Sequence, residues 1–91
     1  MTAASISQAL DLALQHHRAG RLQEAEAIYR QILAAVPNHA DALHLRGVLA
    51  YQVGRPDVAV DLMRKAIAVE PRRPEHRYDL GNALLMCVIS F

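Results

Sequence analysis

Apolar and small residues recur at spacings of three and four along most of this chain, and Gly and Pro cut that pattern into five segments. The first predicted helix runs from about Ser5 to Ala19, with Ile6, Ala9, Ala13 and His16 or His17 at helical spacing, and Gly20 ends it. The second spans about Leu22 to Val36, where Leu22, Ala25, Ile28, Tyr29, Ile32 and Leu33 make a broad apolar face and Pro37 stops it. A third, from about Ala40 to Val53, carries Leu43, Gly47, Ala50 and Tyr51 and then meets Gly54. The fourth runs from about Pro56 to Glu70; Pro56 fits the first turn, where a missing amide costs little, and Ala59, Leu62, Met63, Ala66 and Ile67 stack behind it. The fifth starts at Pro74 and continues through Leu80, Leu84 and Leu85. No segment alternates with a strand period and no Asn-Gly or Asp-Gly hairpin signal is present, so the expected class is all-α. Gly20 and Gly54 stand where a helix needs a left-handed stop that a Cβ would strain. Arg21 and Arg55 fall where an N-cap belongs, and Arg caps poorly, so the second and fourth helices are expected to fray at their starts.

The segments repeat. Gly20 recurs thirty-four residues later as Gly54, Arg21 as Arg55, Ala25 as Ala59, Arg30 as Arg64, Leu33 as Ile67 and Pro37 as Pro71, while Ala13 recurs as Gly47 and again as Gly81. A fixed period of this size marks stacked units that each offer the same packing surface to the next. The connections are too short for crossovers, so successive helices are expected to be antiparallel neighbours.

This pattern resembles the tetratricopeptide repeat family, whose unit is a helix pair with small residues at the close approach and Pro at the end. The resemblance covers residues 6 to 91, with repeat one at 6–39, repeat two at 40–73 and a partial third at 74–91. Its close-contact position falls on Ala13, Gly47 and Gly81, its turn Gly on Gly20 and Gly54, and its second-helix Ala on Ala25 and Ala59. Its large apolar position falls on Tyr29 and Met63, and its terminal Pro on Pro37 and Pro71. The implied fold is a right-handed superhelix of antiparallel helix pairs. Two departures are expected to loosen packing: Arg46 stands where Leu12 and Leu80 stand, and His16 and Ala50 occupy a site where the family tends to be large and apolar. The stretch Ala42 to Pro71, with Leu43-His44-Leu45-Arg46-Gly47-Val48-Leu49-Ala50-Tyr51, is also similar to the N-terminal repeats of bacterial proteins related to O-linked N-acetylglucosamine transferases. That resemblance implies a non-catalytic arm of a larger enzyme.

Composition narrows the function classes. Ninety-one residues make one domain, and 53% hydrophobic content with 4% aromatic calls for a core of Ala, Leu, Val and Ile. Ten basic against nine acidic residues give a net charge of +1, too balanced for a general nucleic-acid or anionic-membrane binder. Arg72, Arg73 and Arg77 are flanked by Glu70 and Glu75 and read as a solvated corner. The single Cys87 excludes an internal disulfide, no secretory signal is visible, and Ala83 to Phe91 is too short to span a bilayer, so a soluble, cytoplasmic protein is expected.

The family resemblance implies that the first helix of each pair lines a concave groove. The groove-facing set is then Leu10, Leu14 and His17 from repeat one, His44, Val48 and Tyr51 from repeat two, and Tyr78, Asn82 and Leu85 from the partial third. Mostly apolar with a few hydrogen-bonding tips, such a surface suits an extended peptide or a partner helix, or else several of these residues simply pack on one another. The five histidines form no metal-ligand pattern, since His16 and His17 point to different helix faces and His39 lies in a linker. No nucleophile arrangement or phosphate loop is present; Asp11, Asp57, Asp61 and Asp79 read as solvated charges, and Cys87 as an inert thiol in an apolar helix. The expectation is an interaction module with no cofactor, and not an enzyme.

The end of the chain, Leu84-Leu85-Met86-Cys87-Val88-Ile89-Ser90-Phe91, is apolar where a terminal repeat needs a polar outer face, and Val88 stands where the turn Gly belongs. The chain is a fragment of a longer array, or pairs its fifth helix with another copy, or folds the tail back as a cap. The expectation adopted is a homo-oligomer through Leu84, Leu85, Val88, Ile89 and Phe91. Family members with a carboxylate clamp bind acidic C-terminal tails through Lys, Arg and Asn on their first helices; only Asn82 matches here, and Asp11 and Asp79 would repel such a tail. The chain is therefore predicted not to bind a chaperone-type acidic tail, and micromolar affinity in a peptide titration would overturn this.

Overall fold

The computed structural model describes residues 2–89. They form five helices: α1 (Ala3–Arg18), α2 (Leu22–Ala35), α3 (Ala40–Gln52), α4 (Pro56–Val69) and α5 (Pro74–Ile89), with no strand among the described residues. Each helix lies where periodicity places it. α1 begins two residues earlier than expected because Thr2 caps it, its hydroxyl accepting from the Ser5 amide at 3.1 Å.

Helices adjacent in sequence pack on each other, α1 on α2, α2 on α3, α3 on α4 and α4 on α5. Within each pair the reversal is the same. Gly20 and Gly54 adopt φ of 80° and 81°. Around the first, the Arg21 amide donates to the His16 carbonyl at 2.8 Å and the Gly20 amide to His17 at 3.2 Å; around the second, Arg55 donates to Ala50 at 2.8 Å and Gly54 to Tyr51 at 3.1 Å. This paired closure satisfies carbonyls that a helix end leaves open, and it requires the left-handed residue at its centre. Arg21 and Arg55 make no side-chain cap, as their chemistry implied. His39 lies in the connection, as expected, and also caps α3, its Nδ1 accepting from the Ala42 amide at 3.1 Å.

The core is built from small residues so that helices approach closely. Ala13, Ala25, Ala42, Ala59, Ala66 and Ala83 are fully buried, and Tyr29, Ile32 and Met63 are the large apolar side chains sealed between them. At Gly47 an added Cβ would lie 2.9 Å from Met63 Cγ and 3.4 Å from the Ala59 carbonyl oxygen, so the α3–α4 contact uses the missing side chain. Gly81, at the same register, has nothing within 4 Å. Arg46, expected to loosen packing, donates from its Nε to Glu26 on α2 at 3.0 Å, and the pair walls a cleft of about 410 Å³ over Leu22, Leu49, Val58 and Leu62. α5 continues through position 88, where Gly20 and Gly54 turn the chain in the two earlier repeats.

Gly54→Ala should lose about 1–2 kcal/mol because a Cβ is strained at that backbone conformation. Gly81→Ala, in an open stretch of helix, should gain up to about 1 kcal/mol from propensity. Urea unfolding of both variants checks the contrast, and effects of the same sign would refute it.

Candidate functional site

The expected interaction face draws on α1, α3 and α5, and the structure treats its residues unequally. In repeat one, Leu10 and Leu14 are half-buried, and Leu10 packs toward Tyr29 and Ile32. His17 is held at both ring nitrogens: Nδ1 lies 2.9 Å from the Tyr29 hydroxyl and Nε2 lies 2.6 Å from Gln52 Oε1. With the amide oxygen of Gln52 facing it, an acceptor only, Nε2 carries the proton and donates, so Nδ1 accepts from the Tyr29 hydroxyl. The Tyr29 ring meets His17 edge-on at 5.9 Å. Burial pushes the Tyr29 phenol up to about 12, with Arg18 pulling slightly the other way, which keeps the donating proton in place.

In repeat two, His44 is only 9% exposed; its Nε2 donates to Asp79 Oδ2 at 2.6 Å and its ring lies against that of His76, centroids 4.3 Å apart. Expected among the groove tips, His44 is instead turned into the contact between α3 and α5. His17 to Gln52 and His44 to Asp79 both span thirty-five residues, one repeat plus one position, so each staples the first helix of one repeat to the first helix of the next. Val48 and Tyr51 are half-buried and pack with Ala59, Val60 and Met63. They meet Asn82 around a cavity of about 40 Å³, room for a water but not for a peptide side chain.

The open part of the face is on α5. Tyr78 is 72% exposed and Leu85 58%, and the neighbouring Leu84 and Met86 are also exposed. Of the other residues expected in self-association, Val88 and Ile89 contribute described backbone only, and Phe91 lies outside the described residues. In the corner expected to be solvated, Arg72 and Arg77 are exposed, and Arg73, partly exposed, bonds Asp41 on α3 and, at 2.8 Å, Glu70.

His76 escaped the sequence reading. It is fully buried in the first turn of α5, and neither ring nitrogen has a hydrogen-bond partner. The thirty-four-residue ruler held a signal, because it sets His76 on the position of Ala42, itself fully buried. Among the described residues, no group of three or more His, Cys, Asp or Glu side chains is arranged to hold a metal ion, and no helix is long and apolar enough to cross a membrane.

The tetratricopeptide repeat family profile matches residues 5–70, the stretch that holds the paired helices, the left-handed Gly stops and the small-residue seam. The chain belongs to the tetratricopeptide repeat family. No curated protein matches the sequence. Among solved structures, a mutant of the Thermobaculum terrenum O-GlcNAc transferase is similar at 34% identity and a TM-score of 0.88, over 92% of this chain and 17% of that one. The MamA protein shares the fold at 23% identity and a TM-score of 0.85, over 94% of this chain and 47% of MamA. The chain thus spans under half of either neighbour.

The raised pKa of Tyr29 has a sign. The folded state keeps the phenolic proton that the unfolded state releases from pH 10 upward, so this stabilisation is complete below pH 10 and is lost as pH rises toward 12. Tyr29→Phe should cost about 1 kcal/mol at neutral pH through the lost hydrogen bond. The stability gap between wild type and Tyr29→Phe should then narrow above pH 10. A gap unchanged by pH, measured by urea unfolding, would contradict the assignment.

Proposed function

We propose that this tetratricopeptide repeat chain is a protein-interaction module, without catalytic chemistry of its own, that engages its partner chiefly through α5 and pairs α5 with a second copy. The observation that carries this reading is the mismatch between two equivalent positions: Gly47 is closed by Met63 of the following helix, whereas Gly81 is open, beside exposed Tyr78, Leu84 and Leu85. A contiguous apolar surface of this kind favours association over exposure to water. Because Tyr78, Gly81, Asn82 and Leu85 follow helical spacing on one helix, two copies can meet through the same patch in an isologous contact. The rest of the face, where Leu10, Leu14, Val48, Tyr51 and Asn82 are partly covered, forms a continuation along which a peptide or partner helix extends.

A second reading has its own support. The 34% identity to the O-GlcNAc transferase over 92% of this chain favours a role as a non-catalytic repeat arm of a larger glycosyltransferase-like protein. A reading frame that continues into a transferase domain distinguishes this arm from a stand-alone adaptor.

Sedimentation equilibrium tests the self-association. The wild-type chain should sediment as a dimer or higher oligomer, and Tyr78→Ala with Leu85→Glu should return it to the monomer mass while circular dichroism stays helical. A wild-type chain that remains monomeric at high concentration would sink this surface.

A further inference from the structure

The contact between α3 and α5 contains an arrangement that the earlier repeat interface lacks. His76 is wholly enclosed, both its nitrogens are without partners, and its ring lies 4.3 Å from that of His44 at an interplanar angle of 37°. His44 in turn donates to Asp79, one turn further along α5. Two imidazoles and one carboxylate thus fasten the first half of α5 to α3. At the position of His76 the previous repeat has Ala42, so the device is particular to this junction.

A neutral imidazole can occupy such a site, but a proton on His76 would place a charge where no water or partner receives it. The surrounding groups decide how strongly the site resists. From α3 it faces His44 and, beyond it, Asp41, which is bonded to Arg73. From the connection after α4 come Glu70 and Arg73, themselves paired, and from α5 itself Glu75 and Asp79, the latter held by His44. His44 and Arg73 oppose a charge on His76, and Glu75 and Glu70 favour it; burial is the largest influence, and the pKa of His76 lies below the ordinary 6.5.

We propose that His44 and His76 form an acid-sensitive latch, which holds α5 on α3 and α4 while His76 is neutral and releases α5 when His76 takes up a proton. Among the described residues α5 packs on α4 and α3 alone, so its release leaves the α1–α2 pair intact. Release uncovers the α4 surface on which Leu80, Ala83 and Cys87 now pack, including Val60 and Met63. The sign follows from the released helix, whose His76 returns to 6.5 and so takes the proton more readily than the docked one. Docking is at full strength above that pH and weakens as pH falls below it, by up to about tenfold per pH unit for one proton. The inference rests on packing within one chain and holds whether or not α5 also pairs with a second copy.

Hydrogen exchange of the full chain, corrected for intrinsic rates and followed by NMR between about pH 7.5 and about pH 5.0, tests the latch across the range where histidine titrates. Protection of α5 amides should fall toward low pH, by up to about tenfold per pH unit below the ordinary histidine range, while α1 and α2 keep theirs, and His76→Leu should abolish the difference. The His76 ring resonances of the wild-type chain give a second readout that needs no variant, and they should titrate below 6.5. α5 protection independent of pH, an equal loss across all helices, a pH dependence that survives His76→Leu, or a His76 midpoint at or above 6.5 would each overturn the proposal.

Discussion

The structure depends on how closely its helices approach. At the α3–α4 crossing, Gly47 admits Met63 to a distance that a Cβ would obstruct, and at the α1–α2 crossing Ala13 meets Ala25 and Tyr29 in one sealed cluster. With a single Phe and no Trp in the chain, large side chains do not fill the layers, so burial is reached by drawing backbones together over Ala and Gly. Thin layers of this kind leave little tolerance for volume change, which explains why one large residue per pair, Tyr29 or Met63, sits in each seam.

Polar contacts set how one repeat follows the next. The His17–Gln52 and His44–Asp79 bonds link successive first helices with the same offset, although the residue types share no motif. Arg46–Glu26 acts across the first of these junctions from another side, and Arg73–Asp41 ties the end of repeat two back to its start. The staples occupy side chains that would otherwise tip an open face, which leaves less of that face available along α1 and α3. Exposure of α5 is the complement of that arrangement, since no later helix engages it among the described residues.

The helices, their turns and the close approaches were legible because each has a local chemical cause: periodic apolar positions, Gly at positive φ, Pro beyond a helix end. Exposure along the face expected to bind a partner was not, and the register shows why. His17, Tyr51 and Leu85 are equivalent positions, as are Leu10, His44 and Tyr78. Yet His17 and Tyr51 are half-buried while Leu85 is 58% exposed, and Leu10 is half-buried, His44 buried and Tyr78 72% exposed. The ruler gives every member of a set the same direction, whereas exposure depends on whether a neighbouring helix stands in that direction and what it offers. His76 shows the converse, because its burial followed from register while its unmet nitrogens required the geometry of His44.

The third unit concentrates both consequences in one helix. α5 has the apolar content of a first helix, but it lacks among the described residues the second helix that closes Gly47 in repeat two. Its attachment therefore relies on one flank, where Leu80, Ala83 and Cys87 meet α4 and where the His44–His76 contact meets α3. Among the described residues α5 is then held by its own propensity and by this one flank. Gly81 lowers that propensity. A contact that covers the exposed apolar surface of α5 would stabilise that helix and the junction beneath it together.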